Sequence, residues 1–519
     1  MDPASYFAAI DLGSNSFHML IARENHGKLE VVDREKEMVQ IARGLDDQGN
    51  LSPDSQIRAL ACLERFAERL RGIPSEHIRA VGTKTLRATN ATNPTKQSQE
   101  FLHKAEIALG SPIQIISGFE EARLVYCGLA HTVTQDHKNR MVIDIGGGST
   151  EFVIGQDDSP ALLESLSLGC VSFTKAYFSD DRTLPQSLKI AYSSACSAIE
   201  NIRRPYLAKG WELVYGTSGT MKAIAELVSK NDSSAIIYKD SINALYQKLM
   251  YGEGLDIKNL PAARQLVLPA GIVILKAIFD QLNLEQILIS DATLKEGLIY
   301  DTIGRFSAHD SREETVSNLI QHYRIDPIQA KRVSQLALKF WDSVKPHAAH
   351  IHGVSRSKIL KWAANLHEVG LCISHSGFHK HSYYLLRHSD LAGFGRYEQL
   401  ILSNLVAHHR KKIPQSAFSE LDTAAKSAII PLLLCLRLAA QLSRRREDFI
   451  ECCSLRYQQE NESYILSISE QWLNDNPLTH EGLLVELRQF SNTGASFSLE
   501  FTDQLSKQLS EQNLEDNHR

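Results

Sequence analysis

Two short segments of this sequence carry the same arrangement of chemically able residues. In each, an apolar run ends in an aspartate, a turn of small residues follows, and a second apolar run leads away. The first holds Asp11, then Gly13, Ser14, Asn15 and Ser16; the second holds Asp144, then Gly146, Gly147, Gly148, Ser149 and Thr150. Small residues let backbone N–H groups approach phosphate oxygens, and the hydroxyls of Ser16, Ser149 and Thr150 add donors. Asp11 and Asp144 end their strands where either could hold Mg²⁺, directly or through water. Taken singly, a Gly-rich turn after a strand is a plain hairpin. Laying 11–21 over 144–154 pairs Asp11 with Asp144, Gly13 with Gly146, Ser16 with Ser149 and Ile21 with Ile154, at an offset of 133 residues. A hairpin has no need of the same Asp, Gly and Ser twice, so the duplication favours phosphate.

Further charged groups stand near these turns. Glu121 falls in the first turn of a helix opened by Ser117 and shares a face with Leu124 and Val125, so its carboxylate can face inward. Beside bound phosphate it could act as general base for an attacking water; otherwise it is an acid favoured by the helix dipole. Glu120, three residues after Ser117, has the spacing of a capping box. Glu151 follows the second turn directly and can orient water or metal, or face outward from its strand. Lys84 and Arg87, beside the Thr-rich loop 83–87, are phosphate ligands or solvated charges.

The elements that must position these groups follow from apolar periodicity. A chain of 519 residues has room for about three or four domains of ~100–200 residues. Phe7–Ile10, Phe17–Arg23, Leu29–Asp33 (with continuation towards Ile41), Ile78–Gly82 and Ile113–Ile116 read as strands; Ser55–Leu70 and Phe101–Leu109 read as helices. The strand pattern restarts at Met141–Ile143 and Glu151–Gly155. A repeat of this length is a duplicated domain, and strands followed by helices in each half give α/β layers. Two such lobes would face each other across a cleft lined by both turns. From about Asp310 the strand-like runs vanish. Amphipathic Pro327–Trp341 and Lys358–His367 and a crowd of histidines, among them His347, His352, His367, His375, His379, His381, His408 and His409, mark an all-α domain. Tyr464–Ile468, Glu481–Phe490 and Ser496–Phe501 then read as strand, helix and strand of a small α+β domain, and the last dozen residues have the composition of a fraying tail. The expected domains are 1–125, 126–306, 307–447 and 448–519.

A formal net charge of -5 supplies no global basic field, so nucleic acid is not an expected partner and any polyanion site must be local. The eight cysteines include no CxxC pair, which fits reduced thiols in a cytoplasmic protein. The first residues lack a basic region and enter a strand, unlike a signal peptide. The apolar run Ile429–Ala440 holds Arg437 and reads as too short to span a bilayer. Peripheral association with the inner membrane stays open.

At this point the chain resembles the exopolyphosphatase / guanosine pentaphosphate phosphohydrolase (Ppx/GppA) family. The resemblance rests on AAIDLGSNSFHMLIAR (8–23), GTKTLRATN (82–90), ISGFEEARLVYCG (116–128), VIDIGGGSTEFVIG (142–155), SLGCVSF (167–173), GTSGT (216–220) and SDATLKEGLIY (290–300), with LHEVGLCISHSGFHKHSYYLLRHSDLAGF (366–394) resembling the long bacterial members. It implies a duplicated actin-like (ribonuclease H-like) α/β core of two lobes, an all-α HD-like domain and the small C-terminal α+β domain. It also implies a Mg²⁺-dependent phosphohydrolase and a homodimer. Within it, Glu121 matches the catalytic base, Asp144 and Glu151 match acids that organise Mg²⁺ and water, the turns 13–16 and 146–150 match phosphate loops, and Arg87 matches a phosphate-contacting arginine. In the HD-like part His367 is followed by Glu368 where metal-binding relatives have Asp, which favours a retained scaffold over a second active site. His375, His379, Lys380 and His381 would line a path for a long polyanion or form a polar connection between helices.

The leading expectation is an exopolyphosphatase releasing orthophosphate from inorganic polyphosphate. The alternative is conversion of guanosine pentaphosphate (pppGpp) to the tetraphosphate. Gly148, where pentaphosphatase-type members often carry Ala, and the segment HSGFHKHS (375–382) favour polyphosphate. A sugar-kinase-like or actin-like ATPase is a more distant reading, with GTSGT (216–220) as a nucleotide loop. A silent phosphate-binding regulator is disfavoured by Glu121, Asp144 and Glu151 occurring together.

Overall fold

The structure, a computed structural model, describes residues 6–502 except 26–27, 47, 90–94, 179–183, 229–235, 254, 256–259, 307–308, 345–349, 352–353, 448–452 and 492. The polar C-terminal tail, the first residues, His347, His352 and Cys452 lie outside the described residues. The chain forms two compact units, 1–311 and 312–519.

In the first unit a pattern is built twice. Strands β1 (Tyr6–Leu12), β2 (Phe17–Asn25) and β3 (Lys28–Glu37) make an antiparallel meander, and β4 (Ile78–Gly82) and β5 (Ile113–Ile115) add to β1 in parallel, giving the order β3-β2-β1-β4-β5. The second sheet uses β6 (Asn139–Ile145), β7 (Thr150–Gln156), β8 (Ser159–Leu166), β9 (Leu213–Thr217), β10 (Ile236–Tyr238) and β11 (Gln286–Ile289) in the order β10-β11-β9-β6-β7-β8. Apart from the antiparallel edge strand β10, it reproduces the first sheet strand for strand. The central strands β1 and β6 are covered on both faces: Ala8, Ala9, Ile10 and Leu12, and Met141, Val142, Ile143 and Ile145, are buried. Asp11 and Asp144 are the breaks in these apolar runs. The strands run longer than the apolar periodicity marks, because pairing continues into polar ends.

Two helices tie the halves together by exchange. The helix Gly118–Ala130 closes the first half of the chain's repeat yet packs on β6, β7 and β8; the helix Leu294–Phe306 closes the second and packs on β1, β2 and β4. The expected boundary at 125/126 therefore falls inside a helix. Where the two helices cross, a Cβ on Gly297 would lie 1.8 Å from the Leu124 carbonyl oxygen, and one on Gly128 2.5 Å from that of Thr293, so only glycine fits at either position. A buried ion network reinforces the crossing. Arg123 binds Glu120 at 2.7 and 2.8 Å and Asp301 at 2.6 Å, while Arg79 of β4 also pairs with Asp301. Burial raises the Asp301 carboxyl, but Arg123, Arg79 and Arg305 outweigh it and hold it well below the usual carboxylate range. Ser117 caps the 118–130 helix by accepting from the Glu120 N–H at 3.1 Å. The Glu120 side chain, expected to complete a capping box, is instead committed to Arg123. The Thr-rich segment read as a loop is a short helix, Lys84–Thr89, stabilised by burying Thr85, Leu86 and Thr89.

The second unit contains the helices Pro327–Val344, Arg356–Leu366, Phe378–His388, Arg396–His408 and Thr423–Leu442, with a two-residue hairpin of β12 (His350–Ile351) and β13 (Val354–Ser355). Strands β14 (Cys453–Gln458), β15 (Ser463–Ser469) and β16 (Ser496–Thr502) form a sheet in that order, with the helix Pro477–Ser491 between the last two. Trp362, Leu433, Leu466 and Phe490 belong to one core, so the helices and the terminal sheet are not separately packed. The apolar run around Arg437 is part of a 20-residue helix, long and apolar enough to cross a bilayer, contrary to the shorter run read from sequence; Ala262–Gln281 in the first unit is its equal. Both are largely buried core helices, and Arg437 binds Glu486 at 2.5 and 2.9 Å.

If the buried network holds the crossing helices, Asp301→Ala should destabilise the first unit by about 3–5 kcal/mol, because Arg79, Arg123 and Arg305 lose a buried partner. The shift in denaturant midpoint at unchanged slope measures this. An unchanged midpoint would show that the glycine packing suffices.

Candidate active site

The two repeated turns meet at one cleft in the first unit, with a cavity of about 150 Å³. Its walls include Gly13–Ser16 from one sheet and Gly146–Ser149 from the other. The turns are made alike: a Cβ on Gly13 would sit 2.9 Å from the Ser16 carbonyl oxygen, and one on Gly146 3.1 Å from that of Ser149. They also press on each other. A Cβ on Gly147 would stand 3.2 Å from Ser14 Cβ, and one on Gly148 2.7 Å from Lys84 Cγ and 3.2 Å from Ser14 Oγ. Thr85 on the 84–89 helix donates to Ser14 Oγ at 2.8 Å and fixes the first turn from behind.

Four carboxylates enter this cleft: Asp11, Glu121, Asp144 and Glu151. The hairpin register places Asp144 opposite Glu151 and Asp11 opposite His18. Across the parallel ladder Asp144 stands beside Thr217, whose Oγ1 donates to Asp144 Oδ2 at 2.6 Å. The corresponding neighbour of Asp11 is Val81, and Asp11 Oδ1 is buried with no hydrogen-bond partner among the described residues. Ser165 Oγ donates to Glu151 Oε1 at 2.8 Å. Arg87 Nη1 and Nη2 both reach Glu121 Oε2 at 3.3 Å, and Nη1 also donates to the Ile116 carbonyl at 2.7 Å.

Burial pushes all four acids up, and neighbouring acids add to the rise in Asp11, Glu121 and Glu151. Burial raises Asp11 to about 7, Lys295 opposing it and Glu121 and Asp144 adding to it. Burial likewise raises Glu121 against the pull of Arg87, and Asp144 against the Thr217 hydrogen bond. Glu151 lies well above the usual range through burial and the charges of Glu121 and Asp144.

Cations face these acids. Lys36, Lys84, Arg264 and Lys295 line the cleft with His18. Burial, then Arg264, Lys295 and Lys222, lowers Lys36 to about 8. Burial, then Lys295 and Lys36, lowers His18 to about 3, so it is neutral at physiological pH, with Nε2 3.0 Å from Ser16 Oγ. Ser218, also in the wall, has φ 86°, a left-handed backbone rare for a side-chain-bearing residue and a mark of local constraint. Lys295 falls in the segment SDATLKEGLIY (290–300), while Lys36 and Arg264 belong to none of the motifs; each of the three comes from a separate element. His18 had a signal: the overlay that pairs Asp11 with Asp144 sets His18 on Glu151.

Other expected site residues fall elsewhere. The Thr150 hydroxyl donates to the Leu168 carbonyl and is fully buried, so it braces its strand rather than facing the cleft. Arg87 stands behind Glu121. His379 and Lys380 line a different cavity, of about 490 Å³, wholly within the second unit, with Tyr383, His408, Lys412 and Phe418. The His367 and His409 rings are 5.2 Å apart, and Glu368 is gripped by Arg446 at 2.8 and 2.9 Å. Among the described residues, no group of three or more His, Cys, Asp or Glu side chains is placed to hold a metal ion.

Comparison with known proteins bears on this arrangement. Residues 20–306 match the profile of the Ppx/GppA phosphatase family, and residues 311–487 that of Ppx/GppA phosphatase, domain III. The guanosine-5'-triphosphate,3'-diphosphate pyrophosphatase of Vibrio campbellii is 35% identical over 496 residues, 95% of this chain and 98% of that protein. An exopolyphosphatase of Cytophaga hutchinsonii, known from its crystal structure, is 21% identical with a TM-score of 0.51, covering 58% of this chain and 98% of its own. An exopolyphosphatase-like protein gives 21% and 0.50, covering 58% and 100%. At this identity the two structures bear on the fold alone, which they share with the first unit's duplicated sheets.

The lowered Lys36 has a consequence for anion binding. Sulfate, whose charge is constant over the range, should bind more weakly as pH rises through about 8, where Lys36 loses its proton. Lys36→Met should bind more weakly throughout and keep only the smaller fall near pH 7 where Asp11 ionises. Calorimetric titration from neutral to alkaline pH reads both; a flat profile in the native protein would place Lys36 out of reach of the anion.

Proposed function

This chain belongs to the Ppx/GppA phosphatase family, and from that premise we propose that it removes the terminal 5'-phosphate of guanosine 5'-triphosphate 3'-diphosphate, leaving the tetraphosphate and orthophosphate. The observation that carries this reading is the similarity, along nearly the whole length, to the pyrophosphatase of Vibrio campbellii. It favours the alternative over the preference for polyphosphate drawn from sequence. Lys84 and Ser14 crowd the Cβ position of Gly148, which gives this glycine a packing reason independent of substrate. The HSGFHKHS segment lies in the second unit, with a cavity of its own. Cations beyond the two turns, Lys36, Arg264 and Lys295, suit a substrate with a second phosphate arm.

Reaction begins with the terminal phosphate between the turns, where backbone N–H groups and the Ser14, Ser16 and Ser149 hydroxyls can donate to its oxygens. Glu121 takes a proton from water as the water oxygen attacks phosphorus in line. The bond to the bridging oxygen breaks, its electron pair leaves with the tetraphosphate, and Lys84 and Lys295 offset the charge that develops. A divalent cation fits the acids present: Asp11 Oδ1 has no partner, and Asp11, Asp144 and Glu151 are hard oxygen donors. With no ready-made group of three ligands among the described residues, the fit is to Mg²⁺, which would be held by one or two carboxylates with substrate phosphate and water completing its shell. When bound it would neutralise phosphate charge.

In the second unit we read an HD-like scaffold without metal chemistry. Arg446 occupies the Glu368 carboxylate that a metal would need, at 2.8 and 2.9 Å.

Orthophosphate release with Mg²⁺ tests the substrate. The pentaphosphate should be cleaved far faster than long-chain polyphosphate, and Glu121→Gln should lower kcat by about 10²–10⁴-fold. Faster release from polyphosphate would return the protein to the sister activity. Full activity in the variant would remove Glu121 as the base.

A further inference from the structure

Arg87 and Glu121 make an unusual pair for a phosphate cleft. Both guanidinium nitrogens crowd on one carboxylate oxygen at 3.3 Å, where a fork-to-fork pair would use both oxygens at ~2.7–2.9 Å. The pair is loose, yet each side chain is only 12% exposed. Nη1 is anchored by the Ile116 carbonyl at 2.7 Å, and Nη2 makes the long contact to Glu121. Gly118 opens the helix that carries Glu121, and a Cβ there would lie 3.7 Å from Arg87 Nη2 and 2.5 Å from Ser165 Cβ, the residue that donates to Glu151. On the short 84–89 helix Arg87 sits one turn beyond Lys84, which lines the cleft.

We propose that Arg87 is shared: it holds Glu121 in the substrate-free protein and transfers to the terminal phosphate on binding, so that the carboxylate is released towards water only when the cleft is filled. This rests on the phosphohydrolase reading above and adds a condition to it. A phosphate group with two negative charges and three acceptor oxygens is a stronger partner for a guanidinium than one carboxylate oxygen at 3.3 Å. Arg87 therefore gains by the exchange. Glu121 loses its cation as the nucleophile needs a base, and an empty cleft keeps its base paired.

A double-mutant cycle reads the sharing directly. The native protein, Glu121→Gln, Arg87→Gln and the double variant are titrated calorimetrically with the β,γ-methylene analogue of guanosine 5'-triphosphate 3'-diphosphate, whose terminal P–C bond is not hydrolysed. Glu121→Gln should tighten binding by about tenfold by setting Arg87 free, and Arg87→Gln should weaken it. In the Arg87→Gln background, Glu121→Gln should change affinity by no more than about twofold. Arg87→Lys, which keeps the charge and is less disruptive, should give the same cycle with smaller coupling. An equal effect of Glu121→Gln in both backgrounds, or no tightening, would overturn the sharing while leaving the substrate assignment intact. No binding of the analogue to any of the proteins would overturn the assignment and the sharing together.

Discussion

Asp11, Glu121, Asp144 and Glu151 are held out of water in one cleft, and the cost of ionising them side by side shapes the rest of the first unit. Each is raised above its ordinary range by burial, and neighbouring acids add to the rise in Asp11, Glu121 and Glu151. The fold tolerates the set through directed donors, Thr217 to Asp144, Ser165 to Glu151 and Arg87 to Glu121. Asp11 keeps one oxygen unmatched. On the proposed reading, a phosphate ligand that brings Mg²⁺ with it would complete this cleft. The ring of Lys36, Lys84, Arg264 and Lys295 supplies the opposite need, attracting the anion.

Keeping acids from two sheets in register needs a rigid joint, and the exchanged helices supply it. Adjacent residues on the 118–130 helix point about 100° apart, so Glu120 enters the buried network with Arg79, Arg123 and Asp301 while Glu121 enters the cleft. The helix is thus locked to the first sheet's charges on one side and aims its carboxylate on the other. The glycine contact between Gly128 and Gly297 sets how closely the two helices approach, and with it the separation of the sheets that carry the two turns.

Much of this was legible in the sequence, and for a physical reason. Asp11 and Asp144 interrupt otherwise apolar central strands, and the turns after them repeat, so the hairpins announced themselves through local pattern. Glu121 was legible because a helix start fixes its face relative to Leu124 and Val125. What local pattern could not show were the tertiary partners. Lys36, Arg264 and Lys295 come from separate elements, and only the folded sheets bring them to one wall. Thr150 looked like a phosphate donor, but its hydroxyl is spent on Leu168; Glu120 looked like a cap, but its carboxylate finds Arg123. Gly148, read as a mark of substrate, also has a packing reason to be glycine.

The central claim is that the two turns, one from each sheet, grasp a single terminal phosphate between them. A crystal structure with orthophosphate tests it most directly. One phosphate in the cleft, within ~2.7–3.1 Å of backbone N–H groups from both 13–16 and 146–149, is the expected result. Phosphate bound to one turn alone, or found only in the cavity by His379 and Lys380, would contradict it.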